Sequence, residues 1–274
     1  MNDNKYSGWL IVSDIDGTLN NSLRKTPKVN INAIEDFVHN KGGSFTLASA
    51  RNVQSLTPHY INLPDLKTPA IVLNGAAIYD FSQKKILWFN QVSDNAAEII
   101  KKSMDKFSSL EVGVFTTDKI YLVRPKICAP VMMALDSLKH KKVRTIDEVP
   151  KGDWCKIIFF CMPWLKEKIK EYAMSLSDES VTYIDTTVSS FDMVNATTNK
   201  GNAVLRLAEI LGIDENNIGA IGDYYNDLDM LRTVKHPACC KHAPEELHKI
   251  CEYVTCHCND GAVADFINYI YRTY

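Results

Sequence analysis

Two carboxylates close the first apolar run of the chain, Leu10-Ile-Val-Ser-Asp14-Ile-Asp16-Gly17. An apolar run too short for a helix, cut off by acidic residues and a glycine, reads as a buried strand ending at a turn. Asp14 and Asp16 lean to the same side, and two such charges about 4 Å apart repel by roughly 4 kcal/mol at an effective dielectric near 20. A bound cation or a raised pKa relieves that repulsion, and both belong to active sites. Three further groups end strands or begin helices: Ser49 after Leu47-Ala48, Lys200 before an apolar helical stretch, and Asp223 with Asn226 and Asp227 after Ile218–Gly222.

The elements that carry these residues follow from periodicity. Thr26-Pro27 predicts an N-cap and first helical position, with apolar residues at helical spacing to Val38 and a stop before Gly42-Gly43. A strand at Phe45–Ala48, a helix reaching about Asn62 and a strand at Ala70–Leu73 follow. That alternation predicts a doubly wound parallel sheet. After about residue 80 strands come in pairs between helices: 78–79 with 86–89, 112–115 with 120–123, and 157–161 with 181–184 and 191–194. Helices are expected at 95–107, 129–138 and 164–176, so this stretch reads as an antiparallel α+β unit. The α/β rhythm resumes with a helix at 202–211, a strand at 218–221 and a last helix at 263–271. The expected class is therefore α/β, with a core of residues 1–81 and 193–274 split by an inserted α+β module at 82–192.

The bulk properties narrow the function. The chain has 274 residues, 46% of them hydrophobic, and a net charge of −2 with no basic block. Nothing in that points to a nucleic-acid or membrane partner. A polar N-terminus and the absence of a long apolar run predict a cytoplasmic protein without signal peptide or span, expected as a monomer or weak homodimer. Five of eight cysteines fall between 239 and 258, interleaved with four histidines. A metal cluster is conceivable there, but no Cys-x-x-Cys pair at zinc-finger spacing appears, and the favoured reading is reduced cysteines used as small apolar fillers.

Taken in order, Asp-Ile-Asp-Gly-Thr at 14–18, Ser49, Lys200-Gly201 and Gly-Asp-Tyr-Tyr-Asn-Asp at 222–227 resemble the four motifs of the haloacid dehalogenase superfamily. More narrowly, Arg51, Asn74-Gly75, the insertion at the C2 cap position and Asp260-Gly-Ala-Val-Ala264 resemble the Cof-type phosphatases. Two departures stand out: Ser49-Ala50-Arg51 replaces the commoner Thr-Gly-Arg, and Lys241-His242-Ala243-Pro244 replaces Gly-Asn-Ala-Pro.

The resemblance implies a phosphatase acting on a small phosphorylated metabolite. Phosphoryl transfer is mostly charge neutralisation and positioning. Asp14 is the expected nucleophile, giving an aspartyl-phosphate, and Asp16 the general acid and then base. An Asp rather than Thr at position 16 favours a phosphatase or mutase over the superfamily's ATPases. Asp223 and Asp227, with the Asp14 carboxylate and the Asp16 backbone carbonyl, are the expected Mg²⁺ ligands. Ser49, Lys200, Gly17, Arg51, Asn74 and Asn226 are expected at the phosphate or its surroundings. The inserted module is expected to lie over the site and set specificity, with Arg124, Lys126 and residues 185–190 as candidate contacts. The rival readings are phosphoryl transfer between sugar positions and a binding protein that keeps the fold without turnover.

Overall fold

The computed structural model describes residues 4–64, 66–135 and 137–274, and every count of elements refers to these. Its strands are β1 (Leu10–Ser13), β2 (Ser44–Leu47), β3 (Ala70–Val72), β4 (Ala77–Asp80), β5 (Lys85–Phe89), β6 (Glu111–Thr116) and β7 (Ile120–Val123). They continue as β8 (Lys141–Val143), β9 (Trp154–Phe160), β10 (Val181–Thr187), β11 (Ser190–Asn195), β12 (Ile218–Gly222), β13 (His236–Cys240) and β14 (Tyr253–Thr255). Two compact units result: Met1–Leu87 with Asn199–Tyr274, and Trp88–Thr198. The first division falls within β5, which belongs to a sheet with β3 and β4.

In the first unit five strands run in the order β14-β13-β12-β1-β2 and every ladder is parallel. β1 and β12 are buried along their whole length, as strands covered on both faces must be. Chain order reverses between β1 and β12, and such a switch point opens a crevice at the carboxyl ends of the strands. Helix Lys200–Leu211 is capped at Asn199, whose side chain accepts from Asn202 N–H, and ends on left-handed Gly212. Helices Lys28–Glu35 and Ala262–Thr273 are joined by Asn30, which accepts from Ala264 N–H at 2.9 Å and donates to Leu19 O.

Three local expectations are corrected. Pro27, not Thr26, caps the first helix, because the Thr26 hydroxyl donates to Asn20 Oδ1 at 2.7 Å. β3 touches the parallel sheet through one bridge, Ala48 with Ile71, and pairs instead with β4 in an antiparallel sheet. Of the helix expected at 129–138, the described helical residues are Cys128–Leu135 and residue 136 lies outside the described residues.

The second unit is a six-stranded sheet, β10-β11-β9-β6-β7-β8, antiparallel except for β7 with β8. Ile99 and Ile100 of helix Ala96–Lys106 and Ile169 of helix Lys166–Ser175 share a buried apolar cluster with Phe159 and Phe191. Glu111 is buried, and its carboxylate accepts the N–H groups of Lys126, Ile127, Cys128 and Ala129, capping helix Cys128–Leu135 from a distant strand. The side chains expected to meet substrate here are engaged within the unit. Arg124 donates to Met104 O, Lys126 Nζ to Ser108 O, and Asp185 pairs with Lys166 and Lys170.

Candidate active site

Parallel pairing brings the residues that follow β1, β2, β12, β13 and β14 to one edge of the sheet. Asp14 leaves β1 with its N–H on Ile221 O at 3.0 Å, which ties it to the end of β12. Asp223 leaves β12, and the turn that follows places Asp227 so that its Oδ2 accepts from the N–H groups of Asp223 (3.0 Å) and Tyr224 (3.3 Å). One oxygen each of Asp14, Asp223 and Asp227 lie within 4.8 Å of one another. Lys200, fully buried at the first turn of its helix, donates to Asp14 Oδ1 at 2.5 Å and to Asp227 Oδ1 at 2.6 Å.

The electrostatics follow from burial. Desolvation pushes the Asp14 carboxyl up to about 8, with Asp227 adding to the effect and Lys200 opposing it. Desolvation works against the Lys200 ammonium, yet Asp14 and Asp227 outweigh it and hold Lys200 above the usual lysine range. Asp223 is raised by burial against the opposing hydrogen bond from Thr18. Three carboxylates around one ammonium are thus short of positive charge when all are ionised.

That donor set fits a hard divalent cation, which takes oxygen ligands and few of them from the protein. Gly17 keeps the space open. Its φ is +89°, and a Cβ there would stand 2.3 Å from Asp223 Oδ2. Both oxygens of Asp227 already accept hydrogen bonds, so Asp14 and Asp223 offer the freer lone pairs.

The remaining expected residues are distributed unevenly. Asp16 is half-exposed and its carboxylate is held bidentately by Arg51, Nε to Oδ2 at 3.0 Å and Nη2 to Oδ1 at 2.9 Å. Its side chain therefore stands outside the carboxylate cluster, because the Arg51 fork offers a better partner than two like charges do. Ser49 is buried after β2. Its Oγ accepts from Arg51 N–H at 3.2 Å, and its carbonyl accepts from Asn74 N–H at 2.9 Å. Asn74 has a φ of +56° and a buried Oδ1 with no hydrogen-bond partner. Gly75 is required beside it, since a Cβ would sit 2.2 Å from Asn199 O at the start of the Lys200 helix. Asn226 is exposed on the turn of Tyr225–Asp227 and makes no described hydrogen bond to the cluster.

Two residues quoted in the motifs, but given no role there, meet Asp223. Thr18 Oγ1 donates to Asp223 Oδ1 at 2.9 Å, and His242 Nε2 stands 3.6 Å from Asp223 Oδ2. Thr18 lies within the Asp-Gly-Thr run, and that adjacency to Gly17 is the signal that could have found it.

Comparison with known proteins bears on the family and the fold. The family described as haloacid dehalogenase-like hydrolase matches residues 11–267. A Streptococcus pyogenes protein named as a phosphatase is 26% identical, with 94% of this chain and 96% of that protein covered. The 5-amino-6-(5-phospho-D-ribitylamino)uracil phosphatase of Bacillus subtilis is also 26% identical, with 94% and 96% covered. A haloacid dehalogenase-like hydrolase from Bacteroides thetaiotaomicron superposes with a TM-score of 0.81 at 19% identity, covering 96% of this chain and 99% of its own; this likeness is one of fold. With all but the ends of the chain matched, this protein belongs to the haloacid dehalogenase-like hydrolases.

Proposed function

We propose that this hydrolase is a Mg²⁺-dependent phosphatase that cleaves a small phosphorylated metabolite through an aspartyl-phosphate on Asp14. The observation that carries the reading is the convergence of Asp14, Asp223 and Asp227 to within 4.8 Å of one another at the switch point of the sheet, with the buried Lys200 ammonium on Asp14 and Asp227. The two relatives named as phosphatases support it. The catalytic role falls to the unit of Met1–Leu87 and Asn199–Tyr274, which holds every residue of the cluster, and the cytoplasm is its compartment.

Asp14, Asp223 and Asp227, with the Asp16 carbonyl, would hold Mg²⁺, which when bound supplies the positive charge that lets a phosphate dianion approach these carboxylates. The Asp14 carboxylate oxygen then attacks phosphorus, forming the acyl phosphate as the ester P–O bond breaks, and Asp16 gives its proton to the departing alkoxide. In the second half, Asp16 takes a proton from water, whose oxygen bonds to phosphorus while the bond to Asp14 breaks, releasing inorganic phosphate. Lys200 holds Asp14 in place and offsets charge at the phosphoryl oxygens. Ser49 and Asn74 line the phosphate's surroundings, and Arg51 keeps Asp16 in position. Gly17 offers its N–H in the same turn.

Assay of a panel of phosphorylated metabolites for phosphate release, with Mg²⁺ and with EDTA, tests this reading. Mg²⁺-dependent release from at least one member is expected. No release from any of them, aryl phosphate included, would leave a binding protein.

A further inference from the structure

We infer that His242, His257 and Cys258 form a second metal site, for a soft divalent ion of the zinc class. The three come from loops that leave the neighbouring strands β13 and β14 at the same edge of the sheet as Asp14 and Asp223. One ring nitrogen of each histidine and the Cys258 sulfur lie within 4.8 Å of one another. Cys258 Sγ is 3.6 Å from His257 Nδ1. Bond lengths of about 2.3 Å to sulfur and 2.0–2.1 Å to nitrogen put two tetrahedral ligands roughly 3.5 Å apart. The sulfur–nitrogen pair therefore already stands at the edge length of such a site. The histidine rings lie with centroids 4.4 Å apart and are inclined by 42°, so the remaining closure is small.

The surroundings suit an ion of this kind. Cys258 is buried, while His242 reaches solvent. The loop is pinned by Asn259, whose Oδ1 accepts from Ser22 N–H and Ser22 Oγ at 2.9 Å each. Asn259 N–H donates to His257 Nδ1 at 3.2 Å, a long bond whose lone pair an ion would take over. Asp223 Oδ2, 3.6 Å from His242 Nε2, supplies negative charge at the border. Imidazole nitrogens and a thiolate select zinc-class ions over Mg²⁺, so the two clusters sort metals by hardness although they share an edge. Binding forms a metal–sulfur bond and releases the Cys258 thiol proton to solvent.

Cobalt(II) is the probe, added to the reduced full chain with Mg²⁺ in excess. The expected result is a thiolate-to-cobalt charge-transfer band with tetrahedral visible bands, saturating at one equivalent and bleached by Zn²⁺. Cys258→Ser removes the charge-transfer band, the surface variant His242→Asn weakens cobalt binding at least about tenfold, and Cys251→Ser leaves both unchanged. Absence of a thiolate band at millimolar cobalt, or a band that survives in Cys258→Ser, overturns the site. The readout needs no turnover, so it stands or falls apart from the phosphatase reading.

Discussion

Lys200 Nζ lies 2.5 Å from Asp14 Oδ1 with neither side chain open to solvent, and the same ammonium is the charge partner of Asp227. Removing one partner of a buried ion pair leaves the others uncompensated, typically at a cost of about 3–5 kcal/mol. Lys200→Met is therefore expected to lower the stability of the metal-free protein by that order and to remove most activity. Denaturant melts with and without Mg²⁺ check it. An unchanged midpoint and catalytic efficiency would take Lys200 out of the site.

The raised Asp14 carboxyl gives the pH dependence its sign. Between its ordinary 3.8 and about 8, the folded state holds a proton that the unfolded chain has lost. Stability of the metal-free protein then falls as pH rises through that window, by up to about 1.4 kcal/mol per pH unit. Mg²⁺ binding takes the place of that proton. The gain in Tm on adding Mg²⁺ is expected to be larger at pH 8 than at pH 5 in the wild type, and smaller and less dependent on pH in Asp14→Asn, where Asp223, also raised by burial, remains. Reading the gain as a difference removes contributions of opposite sign, such as that of His59, whose pKa burial lowers. Equal gains at both pH values would contradict the assignment.

Arg51 grips Asp16 with two nitrogens, and lysine cannot reproduce that fork. Arg51→Lys keeps the charge but frees the carboxylate, and a misplaced acid–base group commonly costs about tenfold or more in rate. A fall in kcat/KM of that size is expected, with melting unchanged. Full activity in Arg51→Lys would mean that the charge alone matters.

Gly17→Ala would combine a strained backbone with a Cβ 2.3 Å from Asp223 Oδ2. The expected cost is about 1–3 kcal/mol of stability, with Mg²⁺ affinity weakened at least about tenfold because Asp223 must move. Calorimetric Mg²⁺ titration of the folded variant measures it, and unaltered affinity would show that Asp223 does not hold the ion.

The sequence exposed most of this edge because each reactive group sits where an apolar period breaks: Asp14 and Asp223 after buried runs, Lys200 before one. It did not reveal that Asp16 faces Arg51, since spacing fixes the side of a turn but not the partner a flexible carboxylate finds. β13 and β14 were unread for a plain reason. His236-Pro237-Ala-Cys-Cys240 puts a proline and thiols into a strand, and Tyr253–Thr255 is too short to show alternation. Cys239 and Cys240 are core residues, in keeping with their reading as apolar fillers, but the unread strands hid the fact that His242 and Cys258 are brought to the carboxylate edge. The place of β3 was misread because a parallel rhythm does not say where pairing lapses into a single bridge.

The most direct test of the account is a covalent one. The wild type, Asp14→Asn and Asp16→Asn proteins are mixed with an aryl phosphate and Mg²⁺, quenched in acid and weighed intact while phosphate release is followed. The account predicts a phosphoryl adduct in Asp16→Asn that maps to Asp14, and in Asp14→Asn no adduct and turnover at least about 10³-fold below wild type. Near wild-type turnover by Asp14→Asn, or an adduct on any other residue, would contradict it.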